Sequence, residues 1–293
     1  MTTPWQDLGQ DQLEPIYNPR VAVSDAQFQL DEMARRSVQA RAELSRQGLG
    51  ESELRYGPGP LETLDLYRAS GSGSGRARPL VLFIHGGFWR ALDKRDHSFV
   101  VPPLLSTGAV VANVNYDLCP AISLSAMVEQ IVRAVRFCHA HAPQWEADPG
   151  RLVLIGHSAG AHLAARVLNQ ASDQLGLPAD LVHGFAGISG IYEPEIVTRL
   201  TVNQQAQIDL ATARFNDCLE RPPGGRARVA LWAGGDEPAG WIDQTTRYAE
   251  VVSRAGLPCQ SFTLAATNHF TVLQQSMLPD GMAFDVIRSL IAH

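Results

Sequence analysis

A series of short, unbroken apolar runs separated by helix-length stretches limits the folds open to this chain more than any other feature. The runs are Leu80–Ile84, Ala109–Val114, Leu152–Ile155, Leu181–Ile188, Val229–Trp232 and Ser261–Leu264, each bounded by glycine, proline or polar residues. A strand with one face in water alternates apolar and polar residues, whereas a strand covered on both faces reads as a continuous apolar run. The segments Ser125–Ala142, Ala159–Gln170, Gln244–Ala255 and Met282–Ala292 have the length and patterning of helices. The alternation predicts a doubly wound α/β unit around a mostly parallel sheet.

Upstream of these runs the pattern differs. Ser24 with Gln27 makes a capping-box signature, followed by a weak apolar stripe (Phe28, Met33, Val38, Leu44) that ends at Gly48 and Gly50. This predicts a helix over 24–48. Leu54–Tyr56, the turn Gly57-Pro-Gly-Pro60 and the alternating Leu61–Tyr67 predict a hairpin. Ser70–Gly75, all serine and glycine, reads as a flexible surface connection.

Composition removes several classes of function. Hydrophobic residues are 45% and charged residues 18%, which suits a globular chain with a large core. The net charge of −6 leaves no basic excess for a phosphate backbone, so nucleic acid is not an expected partner. Cys119, Cys138, Cys218 and Cys259 form no CxxC pair and read as buried thiols in a reducing compartment. Met1–Asp7 has neither a basic nor an apolar leader region, so a cytoplasmic location is expected. The uncharged stretch His97–Tyr116 contains Pro102, Pro103, Asn113 and Asn115 and reads as loop followed by strand, so no membrane association is expected.

The chemistry-bearing residues fall at the ends of the apolar runs. Gly156-His-Ser-Ala-Gly160 lies between the run Leu152–Ile155 and the helix beginning at Ala159. At a strand-to-helix turn, flanking glycines permit a strained backbone that lifts Ser158 Oγ clear of the sheet beside a positive helix end. A serine hydroxyl needs a base. His269, in the loop after Ser261–Leu264, is the candidate, with His293 at the chain end discounted. Asp236, in the loop after Val229–Trp232, is the expected acid that orients His269, and Glu237 and Asp243 are its competitors. His85-Gly-Gly-Phe-Trp89 follows Leu80–Ile84, so the amides of Gly87 and Phe88, with that of Ala159, are assigned to a developing oxyanion; Gly86 could replace either of the first two. Phe88 and Trp89 are expected beside the reacting centre. His157 is expected to point elsewhere, His97, His162 and His183 to be structural, and no His cluster has metal-ligand spacing.

On these residues the chain resembles the α/β-hydrolase superfamily, and within it the serine-dependent kynurenine formamidase (arylformamidase) group and its esterase relatives. Further shared segments are Tyr17–Val23, Asn115-Tyr-Asp117, Gly156–Leu163, Ile188–Tyr192, Gly235-Asp236 and Asn268–Phe270. Two positions depart from the group: Phe88 stands where the formamidases usually have tyrosine, and Ile191–Glu195 differs from their usual Tyr-Asp-Leu run. The resemblance implies an α/β-hydrolase fold, with residues 1–50 a helical cap segment and 51–293 the catalytic unit of a single domain. It implies a cofactor- and metal-free serine hydrolase with Ser158, Asp236 and His269 as triad and Gly86, Trp89, Tyr192 and Phe270 against the substrate. The expected substrate is an aryl formamide such as N-formylkynurenine, giving formate and an aryl amine through an acyl-enzyme. A carboxylesterase of short acyl or aryl esters is the alternative, a hydrolase-fold receptor without catalysis the rival from another class, and a homodimer is left open.

Overall fold

The computed structural model describes residues 4–69, 77–169 and 180–292, so the Ser70–Gly75 connection lies outside the described residues. The strands are β1 (Gly50–Arg55), β2 (Thr63–Tyr67), β3 (Arg78–Ile84), β4 (Val110–Val114), β5 (Ala147–His157), β6 (Val182–Ile188), β7 (Arg228–Gly234) and β8 (Cys259–Leu264). They form one sheet in the order β1-β2-β4-β3-β5-β6-β7-β8. The hairpin β1/β2 is antiparallel and β2 joins β4 antiparallel, while β4, β3, β5, β6, β7 and β8 are mutually parallel. All six apolar runs lie within or against these parallel strands.

Both faces of the inner strands are covered, which is why their runs are largely apolar, whereas the edge strand β8 is partly exposed. Side chains alternate between two cores: Leu80, Leu82, Leu152 and Leu154 pack on one face, Val81, Phe83, Val153 and Ile155 on the other. The first face is covered by helices Leu124–His141, Ala159–Leu168 and Ala239–Arg254, with Leu13 and Tyr17 of helix Gln10–Tyr17 in the same core. The second is covered by Ala26–Arg46, Val101–Ser106, Thr271–Ser276 and Met282–Ala292.

The N-terminal helix runs over Ala26–Arg46, close to expectation, but the Ser24/Gln27 capping box does not form. Asp25 occupies the cap without bonding the helix backbone, its carboxylate accepting from the Gln29 side chain, and Gln27 donates to Asp31 along the exposed face. Helix Ala239–Arg254 starts earlier than the 244–255 expected, directly after Pro238. None of the helices among the described residues is long and apolar enough to cross a membrane.

Two glycines hold the central turn. A Cβ on Gly160 would lie 2.1 Å from the Ile84 carbonyl oxygen, and one on Gly156 would lie 2.4 Å from the Gly160 oxygen. The helix after Ser158 therefore rests against the ends of β3 and β5 with no room for a methyl group. We expect Gly160→Ala to cost about 3 kcal/mol or more in chemical denaturation, the upper end for overpacking. Gly224→Ala, which meets nothing within 4 Å, should stay within about 0.5 kcal/mol.

Candidate active site

Ser158 sits between β5 and its helix with φ 56° and ψ −121°, a left-handed conformation that costs a non-glycine residue about 1–3 kcal/mol and survives only where its surroundings impose it. Here Ser158 N–H donates to Ile188 O (2.9 Å), and the Ser158 carbonyl accepts from Ala161 and His162 at the start of the helix. The strained turn leaves Ser158 Oγ 3.0 Å from His269 Nε2. His269, in the loop after β8, directs its other ring nitrogen to Glu237 Oε2 at 2.8 Å. An ionised carboxylate only accepts, so Nδ1 carries the proton and Nε2 presents its lone pair to the serine hydroxyl.

The carboxylate is Glu237, not the expected Asp236. Strand β7 ends in a turn in which Glu237 N–H donates to Gly234 O (3.2 Å) and Asp236 N–H donates to Thr267 O (2.9 Å). That backbone bond ties the turn to the histidine loop while the Asp236 side chain is exposed to solvent. Glu237, one residue on and one methylene longer, turns inward, where its side chain is fully buried. Its second oxygen accepts from Ser189 Oγ and from Gly234 N–H (2.6 Å). Both oxygens of the buried carboxyl group thus have hydrogen-bond partners, as a buried polar group requires. The other competitor, Asp243, pairs instead with Arg247 on the surface.

The loop after β3 carries the backbone amides. Gly87 has φ 126°, and a Cβ there would meet Ala91 O at 2.0 Å; Phe88 and Trp89 follow with φ 50° and 58°. A Cβ on Gly86 would stand 3.0 Å from Ser158 Cβ, so the loop passes directly over the serine. Among the described residues, the N–H groups of Gly87, Phe88 and Ala159 donate to no protein acceptor. A buried polar network braces the loop from below. His85 Nε2 pairs with Asn115 Oδ1 (3.0 Å), Asn115 Nδ2 donates to Asp93 (2.7 Å), Tyr116 donates to His85 O (2.6 Å), and Cys119 N–H donates to Trp89 O (2.8 Å).

A narrow cavity, partly open to solvent, lies over Ser158. Its lining includes Gly86, Gly87, Phe88, His157, His269 and Phe270 from the sheet side. Pro19, Arg20, Leu30 and Met33 from the N-terminal helices close the opposite wall. Gly86, Phe88 and Phe270, expected against the substrate, line this cavity. Trp89 and Tyr192 do not. Trp89 is fully buried with its ring edge-on to His162, 5.0 Å between centroids, because the left-handed turn at Phe88 and Trp89 sends the two side chains to opposite sides of the loop. Tyr192 is buried behind the site and stacked on Tyr248 at 4.2 Å.

Several residues at the site carried no sequence signal. Trp241 packs on His269 with ring centroids 4.2 Å apart. His157 does not point away from the site: it lines the cavity and donates from Nε2 to His269 O (2.9 Å), fixing the base's backbone. Burial holds the His157 imidazole well below the usual histidine range, and burial pushes His97 down to about 3, so both remain neutral. Among the described residues, no group of three His, Cys, Asp or Glu side chains converges as a metal-binding set.

A solved structure from Silicibacter sp. tm1040, carrying a provisional thioesterase description, superposes with a TM-score of 0.79 at 27% identity, over 94% of this chain and 97% of that one. With a serine at the strand–helix turn and a histidine and a carboxylate on following loops of a mostly parallel sheet, the protein is an α/β hydrolase. A family model described as BD-FAE matches residues 64–181. The kynurenine formamidase of Danio rerio is 30% identical over 92% of this chain and 92% of its own length, and that of Salmo salar is 29% identical over 94% of each. The chain belongs to the kynurenine formamidase family and is a hydrolase.

The burial of Trp89 changes what its loss should do. Trp89→Ala should lower stability by about 3–5 kcal/mol in urea or guanidinium titration, as expected for removing a fully buried indole. It should not discriminate between aryl and alkyl substrates in the fraction that remains folded.

Proposed function

We propose that the protein hydrolyses aryl formamides of the N-formylkynurenine type by formyl transfer through Ser158. The observation that carries this reading is the hydrogen-bonded series Glu237–His269–Ser158 inside a cavity. The substrate class rests on kynurenine formamidase relatives that match over nearly the whole chain.

In this mechanism Ser158 Oγ attacks the formyl carbon while His269 Nε2 takes its proton. Charge develops on the formyl oxygen, and the free amides of Gly87, Phe88 and Ala159 receive it. The C–N bond breaks as His269 returns the proton to the departing aryl amine. A water molecule, deprotonated by the same nitrogen, then attacks the formyl-serine, releasing formate and restoring Ser158. Glu237 keeps Nδ1 protonated and stabilises the imidazolium that forms twice in each cycle. Residues 1–50 serve as the cap of this site, a role supported by Pro19, Leu30 and Met33 in the cavity wall, and residues 51–293 form the catalytic unit. The cysteines Cys119, Cys138, Cys218 and Cys259 are all free thiols, which fits a cytoplasmic enzyme. Ester hydrolysis is the second reading, favoured by the structural likeness to a protein of thioesterase description. It needs the same residues and differs only in the leaving atom.

Formate release from N-formylkynurenine and simple aryl formamides, set against p-nitrophenol release from p-nitrophenyl esters, separates the two. The formamidase reading expects the highest kcat/KM on the formylated aryl amine; turnover of esters without any formate release would overturn it. On whichever substrate turns over, Ser158→Ala should lower kcat by about a millionfold. Glu237→Gln should lower it by about ten-thousandfold through the wrong histidine tautomer. Asp236→Asn should change it by less than about threefold, since that side chain reaches no part of the site; the reverse order for the two acids would overturn the assignment.

A further inference from the structure

The charge of the cavity wall runs against that of the protein. The chain carries −6 overall, yet Arg20 and Arg90 both line the cavity over Ser158 and no aspartate or glutamate does. The histidines at its wall supply no balancing negative charge. Arg90 follows the oxyanion loop directly, its backbone N–H donating to Gly87 O at 3.1 Å, so its side chain leaves the chain beside the reacting centre. Its Nε is buried without an acceptor, and among the described residues neither guanidinium has an ion-pair or side-chain hydrogen-bond partner. Several other arginines of similar or deeper burial do have carboxylate partners, Arg78 with Glu146, Arg133 with Glu62 and Arg247 with Glu193, while Arg166, buried away from this cavity, rests on Asn216 without an ion pair among the described residues. Arg20 also borders an adjoining cavity whose wall includes Asp31 and Asp96, whereas Arg90 does not line that cavity. Arg90 is therefore the inner cation and Arg20 the outer one.

A half-buried guanidinium with an unmet N–H loses solvation and regains nothing from the folded chain. A planar fork of donors is matched best by a carboxylate, which can accept two parallel hydrogen bonds. We propose that Arg90, with Arg20 beside it, forms a carboxylate-binding subsite that selects substrates bearing an anionic group on the leaving side of the scissile bond. The leaving side follows from the chemistry, because a formyl group has no substituent to carry the charge. The proposal rests on acyl transfer at Ser158 and adds to it the residues that choose the substrate. It also gives the −6 protein a local positive funnel at its active site, which raises the encounter rate with anions.

The test compares matched pairs that differ only in that charge: N-formylkynurenine against its carboxyl methyl ester, read by formate release, and 3-acetoxybenzoate against methyl 3-acetoxybenzoate, read by acetate release. For the unaltered protein the free acid should be preferred in kcat/KM. In Arg90→Gln the acid-to-methyl-ester ratio should fall at least about tenfold, mostly through KM, as expected for loss of a charge-assisted contact. Arg90→Lys should recover part of the ratio, and Arg20→Gln should lower it less than Arg90→Gln. Turnover of the methyl esters by each variant reports a folded protein with a working serine. A ratio that stays within twofold of the unaltered protein in both glutamine variants would overturn the subsite. If no formamide is turned over, the formamidase reading fails, and the acetoxybenzoate pair still decides the subsite.

Discussion

The close approach of one helix to the sheet governs the arrangement of this protein. Gly156 and Gly160 let the helix Ala159–Leu168 press against the ends of β3 and β5, and the turn between strand and helix can then be closed only by a residue in the left-handed region. Ser158 occupies that position. The same closeness brings Gly86 against Ser158, which sets the loop carrying the Gly87 and Phe88 amides over the serine. Ser158 and the free amides are thus positioned by one steric condition, and the two cores on either side of the sheet supply the stability that holds the strain.

The acid–base side of the site is assembled from three further loops. Ser189 after β6, Glu237 after β7 and His269 after β8 meet through hydrogen bonds, so parallel strands that are neighbours in the sheet deliver neighbouring functional groups. Glu237 is deeply buried, and both of its oxygens are engaged, by Ser189, Gly234 and His269. His157 and Trp241 then hold His269 in place, one by a hydrogen bond to its carbonyl and the other by packing on its ring.

Much of this was legible in the sequence, for physical reasons. Continuous apolar runs mark strands covered on both faces, and all six runs proved to be parallel strands, although the last, Ser261-Phe-Thr-Leu264, alternates and lies in the partly exposed edge strand β8. Ser158 and His269 were readable because each lies at a chain position where a strand has just ended, and glycine spacing reports the tight turn. The acid was misread by one position. Asp236 and Glu237 share a turn whose direction depends on which amide bonds the histidine loop, and that pairing is between segments 31 residues apart, from Asp236 to Thr267. Trp89 and Tyr192 were misplaced because aromatic character suggests a pocket wall, whereas Phe88 and Trp89 sit in a positive-φ turn in which only Phe88 lines the cavity, and Tyr192 is buried in a stack with Tyr248. Arg20 and Arg90 gave no signal, since a guanidinium's lack of a partner is a property of the folded surroundings alone.

The central claim is that Ser158 is an activated nucleophile, and covalent trapping tests it most directly. The protein would be treated with a fluorophosphonate, and the adduct measured by intact mass and located by peptide mass spectrometry. One phosphonyl group per chain on Ser158, with turnover lost in proportion to labelling, is the predicted result. Labelling confined to another residue, or undiminished turnover in a protein fully modified at Ser158, would contradict it.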